Sequence, residues 1–520
     1  MKLHEDSNIS ASQAMADVVS AKSAEFSASA SFIEPEILAL GEETIKKFIA
    51  ETPGLELYTH SLDNTLRRKA HILSAEIEAI LARVREISEG PSNIDSMLEN
   101  ADMKFGSITD AEGNTVEVTG GRFISLLESP DRRVRIDTFN TFYDEYWKLK
   151  NTFATMLNQS IKADVFFSRT RNYKSARAAD LFRSNIPESV YDNLVSTIHE
   201  FLPALHRYFA LRKKALKLDE IHIYDMYTPM VEEADTKMPY EEAKTKLAEC
   251  LAPLGKEYLD IMTKGMDSGW IDVYENEGKM GGAYSWGTYG THPYVLLNYD
   301  DKLGDLFTLA HEMGHAMHSH YTWENQPKVY GNYPIFLAEV ASTVNETIMM
   351  EHMIKTTDDP KVRMYLIGEY LDQFRGTVFR QTMFAEFEHI LHGMVEEGKP
   401  LTLEAINTIY RELCLKYFGP DVVVDDKIDL EWARISHFYR AFYVYQYATG
   451  YSAAVAFTKR ILSGGDTAVS DYIGFLKSGS SDYPINILKK AGVDMSTPTP
   501  IREALKVFEG LVNQMEEMLS

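Results

Sequence analysis

A chain that sets His311 and His315 four residues apart, in His311-Glu312-Met313-Gly314-His315, commits that stretch to a helix if the two rings are to act together. Four steps of an α-helix bring a side chain back to within about 40° of its starting direction, one turn along. Both imidazoles can then reach one metal ion. Glu312, one step on, lies beside such an ion, where a general base takes a proton from bound water. The H-E-x-x-H spacing therefore predicts a zinc site on a helix. His318 shares a face with His315, but three ligands from one continuous helix would crowd a tetrahedral ion, so it is placed outside the ligand set. His320 is read as a residue near the helix end.

A hydrolytic zinc site needs a third protein ligand and an open fourth position. The next helix-like segment, Pro334 to Glu346, offers one. Pro334 suits a first helical turn, and Ile335, Phe336, Ala338, Val340 and Val344 make the segment apolar enough to be buried. A carboxylate there, Glu339, is costly unless it binds metal or joins a buried salt bridge, and both readings stay open. Glu346, seven residues on and on nearly the same face, either orients a ligand histidine or is structural.

The rest of the chain reads as mainly α. Ser74 is expected to cap a helix that Gly90 stops, and Phe105–Ile108 with Val116–Val118 reads as a small hairpin. A helical tract is expected from Pro130 to about Ser168, with Val134, Ile136, Phe139, Phe142, Tyr143 and Tyr146 on a buried stripe. Further helices are expected from near Pro187 past Lys213, over Pro239–Cys250, over Gln373–His392 and over Thr402–Phe418. Tyr294–Tyr299 reads as a strand just before the zinc helix, and its backbone is expected to offer a free edge to an extended peptide. Between His437 and Tyr451 eight residues are His, Phe or Tyr; Tyr439, Tyr443 and Tyr447 recur every four positions, as on one helical face.

Charge and cysteine content narrow the function classes. With 53 Lys and Arg against 77 Asp and Glu, the formal net charge is −24, which disfavours nucleic acid or an anionic membrane as the main partner. Cys250 and Cys414 alone support no disulfide framework and fit a reducing compartment. No apolar run is long enough to span a membrane, and the first residues carry no signal-like apolar stretch, so a cytoplasmic protein is expected.

HEMGHAMHSH, then FLAEVASTVNE, then HFYRAFYVYQYATGY, together resemble the oligoendopeptidase F branch of the M3 metallopeptidases. GGAYSWGTYGTHPYVLLNY before the zinc helix and FLKSGSSDYPINILKKAGVDM near the end extend the resemblance from about residue 35 to the C-terminus. It implies a multi-helix, zincin-type metallopeptidase with a small β-sheet beside the zinc helix and a deep substrate cleft. It implies one zinc per chain on His311, His315 and Glu339, with Glu312 as catalytic base. It carries His437 and Tyr447 over as donors to the oxyanion, with Tyr439 and Tyr451 as weaker candidates. Residues 1–120 would be an N-terminal helical region, short beside the family's, and 121–520 the catalytic region. The expected activity is cleavage of internal bonds of short oligopeptides by a metal-activated water. A zinc aminopeptidase and a catalytically silent peptide-binding protein are the alternatives.

Overall fold

The computed structural model describes residues 1–231 and 237–520 and is mainly helical. It divides into two compact units, each assembled from separate stretches of the chain. The first comprises Met1–Ile72, Asp235–Thr356 and Ala453–Met495; the second comprises Leu73–Ala234, Thr357–Ser452 and Ser496–Ser520.

In the first unit a three-stranded sheet precedes two long helices. Strands β1 (Ile271–Tyr274), β2 (Tyr284–Trp286) and β3 (Tyr294–Tyr299) lie in the order β1-β3-β2. β3 pairs parallel with β1, Ile271 opposite Val295, and antiparallel with β2, Ser285 opposite Val295. Val295, Leu296 and Leu297 are buried, as a central strand requires. The expectation of a free edge on Tyr294–Tyr299 is therefore wrong: both its sides are paired. The edges fall instead on β2 and on the short β1, which no apolar pattern marks.

Asp301, at φ +57°, turns the chain out of β3. Asp305 then accepts the backbone N–H groups of Asp300 at 2.9 Å and Lys302 at 3.0 Å, satisfying donors that a helix start leaves open. Helix α1 (Leu303–Asn325) follows, and after a short link comes α2 (Ile335–Thr356). The two pack closely because Gly314 has no side chain: a Cβ there would lie 2.5 Å from Ser342 Cα. Asn345 locks the pair, donating to Ala310 O at 3.1 Å and accepting from Tyr258 Oη at 2.9 Å. Phe336, Val340 and Val344 are buried as expected, whereas Ile335 is 45% exposed.

The second unit is a helical assembly with a hairpin at Ser107–Thr109 and Thr115–Glu117. Ser74 caps Ala75–Ser88, but Gly90 opens another helix, Gly90–Met97, rather than a loop. The tract expected from Pro130 is two helices, Arg132–Lys148 and Lys150–Thr170, broken at Leu149. Its stripe is buried at Val134, Phe139, Phe142, Tyr143 and Tyr146. Helices Glu188–Ala215 and Leu403–Phe418 match expectation. Arg380–Glu396, here α3, is entered through a π-helical turn, Phe374–Phe379.

The aromatic segment is not one helix. Ser436–Tyr439 forms a 3₁₀ turn, Phe442 takes φ +54°, and α4 begins only at Tyr445 and runs to Leu476 in two helical pieces broken at Gly465, φ +59°. A left-handed residue ends a helical path, so Tyr439, Tyr443 and Tyr447 do not share one helical face. Phe442 is fully buried, and its N–H donates to Glu388 Oε1 of α3 at 2.7 Å; these contacts hold the strained turn in place.

Candidate metal centre

α1 and α2 bring three of the expected ligands together. One ligand atom each from His311, His315 and Glu339 lies within 4.8 Å of the other two. Glu339 Oε2 is 3.5 Å from His311 Nε2 and 3.7 Å from His315 Nε2. The two imidazoles stand nearly perpendicular, 83° apart. Among the described residues no other group of three His, Cys, Asp or Glu gathers in this way.

Each imidazole is oriented from behind. His311 Nδ1 donates to Glu346 Oε1 at 3.1 Å, which turns its Nε2 toward Glu339. The ring of His315 bonds the backbone carbonyl of Ala338. Burial disfavours a charge on His311, but Glu346, through its hydrogen bond and its charge, outweighs that with help from Glu312 and Glu339. The His311 pKa is raised to about 9. His315 goes the other way, to about 3, through burial and the neighbouring His311 charge. Neutral His315 is ready to ligate, while His311 holds a proton that a metal would displace.

Glu312 is 6% exposed, and its Oε2 has no hydrogen-bond partner among the described residues. Burial lifts its pKa to about 7; the His311 charge opposes the lift and the Glu339 and Glu346 charges add to it. The backbone N–H of Ser285, on the edge strand β2, faces its carboxylate. Nothing in the β2 sequence signals this contact, which only the sheet order creates.

Two imidazole nitrogens, a carboxylate oxygen and an adjacent unpartnered buried carboxylate fit a divalent ion of the zinc type. His318 is not part of the cluster. It is fully buried and stacks on Tyr333 with centroids 3.7 Å apart. His292 stacks on Trp270 and belongs to the packing of the sheet.

His437 and Tyr447 belong to the second unit. They are brought together there, with Tyr447 Oη 3.3 Å from His437 Nε2. Tyr443 packs against both rings. Burial and the Arg440 charge lower the His437 pKa, so the ring is neutral near pH 7. Of the weaker candidates, Tyr439 is tied to the buried carboxyl of Asp95, and Tyr451 Oη donates to Gln373 Oε1 at 3.2 Å.

Comparison with known proteins agrees with the sequence resemblance. Peptidase family M3 matches residues 125–507, and Oligopeptidase F matches residues 36–105. Oligopeptidase PepF of Bacillus subtilis is 52% identical over 488 residues, which span 94% of this chain and 73% of that protein. Group B oligopeptidase PepB of Streptococcus agalactiae is 43% identical over 100% of this chain and 86% of its own length. The crystal structure of oligoendopeptidase-F from Enterococcus faecium superposes with a TM-score of 0.80 at 42% identity, covering 99% of this chain and 88% of that one.

Proposed function

The chain belongs to peptidase family M3 and is a metallo-endopeptidase, and on that premise we propose that it cleaves internal bonds of short oligopeptides with one zinc ion held by His311, His315 and Glu339. The observation that carries this reading is the convergence of those three donors within 4.8 Å, with Glu312 beside them. A zinc ion there supplies Lewis-acid polarisation of a water and of the scissile carbonyl.

The chain's own residues supply the rest. Glu312, raised toward neutrality by burial, accepts a proton from the attacking water on its carboxylate and returns it to the leaving amine. Neutral His437 and the Tyr447 hydroxyl donate to the developing oxyanion; the contact between them and the family resemblance support this assignment. Glu346 fixes the tautomer of His311. An extended substrate pairs with the outer edge of β2, so main-chain hydrogen bonds hold peptides of varied sequence.

We take 1–120 as an N-terminal helical region and 121–520 as the catalytic region, in line with the spans of the two family matches. Cytoplasmic location is supported by Cys250 and Cys414, both buried free thiols. A net charge of −24 supports peptides rather than nucleic acid as partners. Among the described residues no helix is long and apolar enough to cross a membrane.

The test is metal content and peptide cleavage on one sample, before and after chelation. The expected result is one zinc per chain, cleavage of an N-terminally blocked peptide lost on chelation, and recovery on adding zinc. In Glu339→Ala, elemental analysis should find the metal gone. Full activity in the metal-free protein would end this reading.

A further inference from the structure

Trp286, the last residue of strand β2, is 73% exposed, and no ring of the described residues packs on its indole. A single apolar side chain in water is common and means little by itself. Trp286 is set apart by where it stands. Its neighbour Ser285 points its backbone N–H at the Glu312 carboxylate, so Trp286 lies one residue from the general base.

The sheet gives the indole a direction. Successive side chains of a strand face opposite ways, and residues opposite each other on paired strands share a face. Trp286 is opposite Tyr294 of β3. The Tyr294 ring lies 4.3 Å from that of His292, and His292 stacks on Trp270 with the planes 1° apart. Aromatic rings thus lead from Trp270, 8% exposed, across the sheet to Trp286. The row stops there because β2 is an edge.

The neighbours of Trp286 are already engaged. Tyr284, the other β2 side chain on its face, has its Oη 2.9 Å from His4 Nδ1, and the two rings meet edge-on. Gly287 holds the strand end against α1: a Cβ there would lie 2.4 Å from the Trp323 ring. Trp286 therefore stands on fixed backbone with its indole uncommitted.

We propose that Trp286 is a specificity-determining residue of the peptidase, its indole receiving an apolar side chain of the substrate, so that oligopeptides with a Leu-like residue within one or two positions of the scissile bond are preferred. This rests on the reading that the substrate pairs with the β2 edge. A peptide on that edge becomes the next strand, and its side chain opposite Trp286 falls on the same face with the Cβ atoms about 5 Å apart. An apolar side chain there leaves water together with the indole and continues the aromatic row, whereas an amide side chain must give up its own hydration.

The test uses the whole, zinc-loaded chain carrying Glu312→Gln, so that peptides bind without being cut. N-terminally blocked peptides that differ only in Leu, Gln or Lys beside the bond cleaved by the wild type are titrated by calorimetry, with tryptophan emission followed in parallel. The Leu peptide should bind about 10-fold more tightly than the Gln peptide and shift the emission saturably to the blue as Trp286 leaves water. Since the side chain is mostly exposed, replacing it should leave the fold intact. Trp286→Phe should keep the preference and lose the shift; Trp286→Ser should lose both. Equal binding of the Leu and Gln peptides would overturn the proposal while leaving the peptidase reading in place. So would tighter binding of the Lys peptide, which would make the indole a cation site, or a Leu preference that survives Trp286→Ser. A wild-type chain that cuts none of these peptides would remove the peptidase reading and this proposal with it.

Discussion

The His311/His315/Glu339 cluster and the His437–Tyr447 pair each join histidine to an oxygen-bearing side chain, yet their supports are of different kinds. The cluster stands on two regular helices, where spacing along the chain is spacing in space, and Gly314 lets those helices approach. The pair straddles a 3₁₀ turn and a left-handed Phe442, and buried carboxyls hold both sides: Asp95 ties Tyr439, and Glu388 accepts the Phe442 N–H. A site on regular helices is positioned by local periodicity. A site on an irregular turn is positioned by whatever long-range contacts pin it, and small changes there move it more easily.

The largest effect that would sharpen this contrast belongs to the first region. Glu312→Gln should lower kcat by about 10³–10⁴-fold with metal content unchanged. The wild-type acid limb should fall as pH drops below about 7, since burial raises the Glu312 pKa to about 7 and only the ionised base works. A bound cation pulls that limb lower, never higher. The same shift has a stability sign: the native carboxyl holds its proton more tightly than the unfolded one does. Relative to chelated Glu312→Gln, in which the histidines titrate in the same way, chelated wild type should therefore lose stability as pH rises from about 4.5 to 7.

Next in size, Tyr447→Phe or His437→Gln should cost about 10²-fold in kcat with KM nearly constant. The double variant should fall short of the product of the two, because the side chains are in contact. Full additivity would break the claim that they act as a pair. Behind the ligands, Glu346→Gln should weaken metal affinity by roughly 10-fold to 100-fold, read by competition with a chelator. Smallest on chemistry is Gly314→Ala, which should cost about 1–3 kcal/mol of stability by forcing α1 and α2 apart, seen as a lower denaturant midpoint. An unchanged midpoint would show that the close packing of the first region is not what steadies it.

Legibility follows the same division. Helix α1 and its histidine pair and the burial of α2 around Glu339 follow from a repeat near 3.6 residues, whereas the bond from Glu346 to His311 crosses between the two helices and settles a role that the sequence leaves open. The aromatic segment misleads because its four-residue tyrosine spacing is real, while the helix it implies is interrupted by Phe442, a residue type that gives no warning of positive φ. β3 misleads differently. Its apolar run marks a strand, but whether a strand is central or at an edge depends on partners many residues away, here Ile271–Tyr274 and Tyr284–Trp286.

By itself, then, the sequence determined the family, the mainly helical class and the set of side chains able to gather on one helical face, because helix hydrogen bonds close within four residues and periodicity records them. Only the tertiary structure decided that β2 is the edge beside Glu312 and that Phe442 breaks the tyrosine stripe. It also decided that Arg434 meets Arg375 and Arg380, from a segment about fifty residues earlier, at one cavity. Each of those outcomes rests on pairings between residues far apart in the chain, which no local pattern encodes.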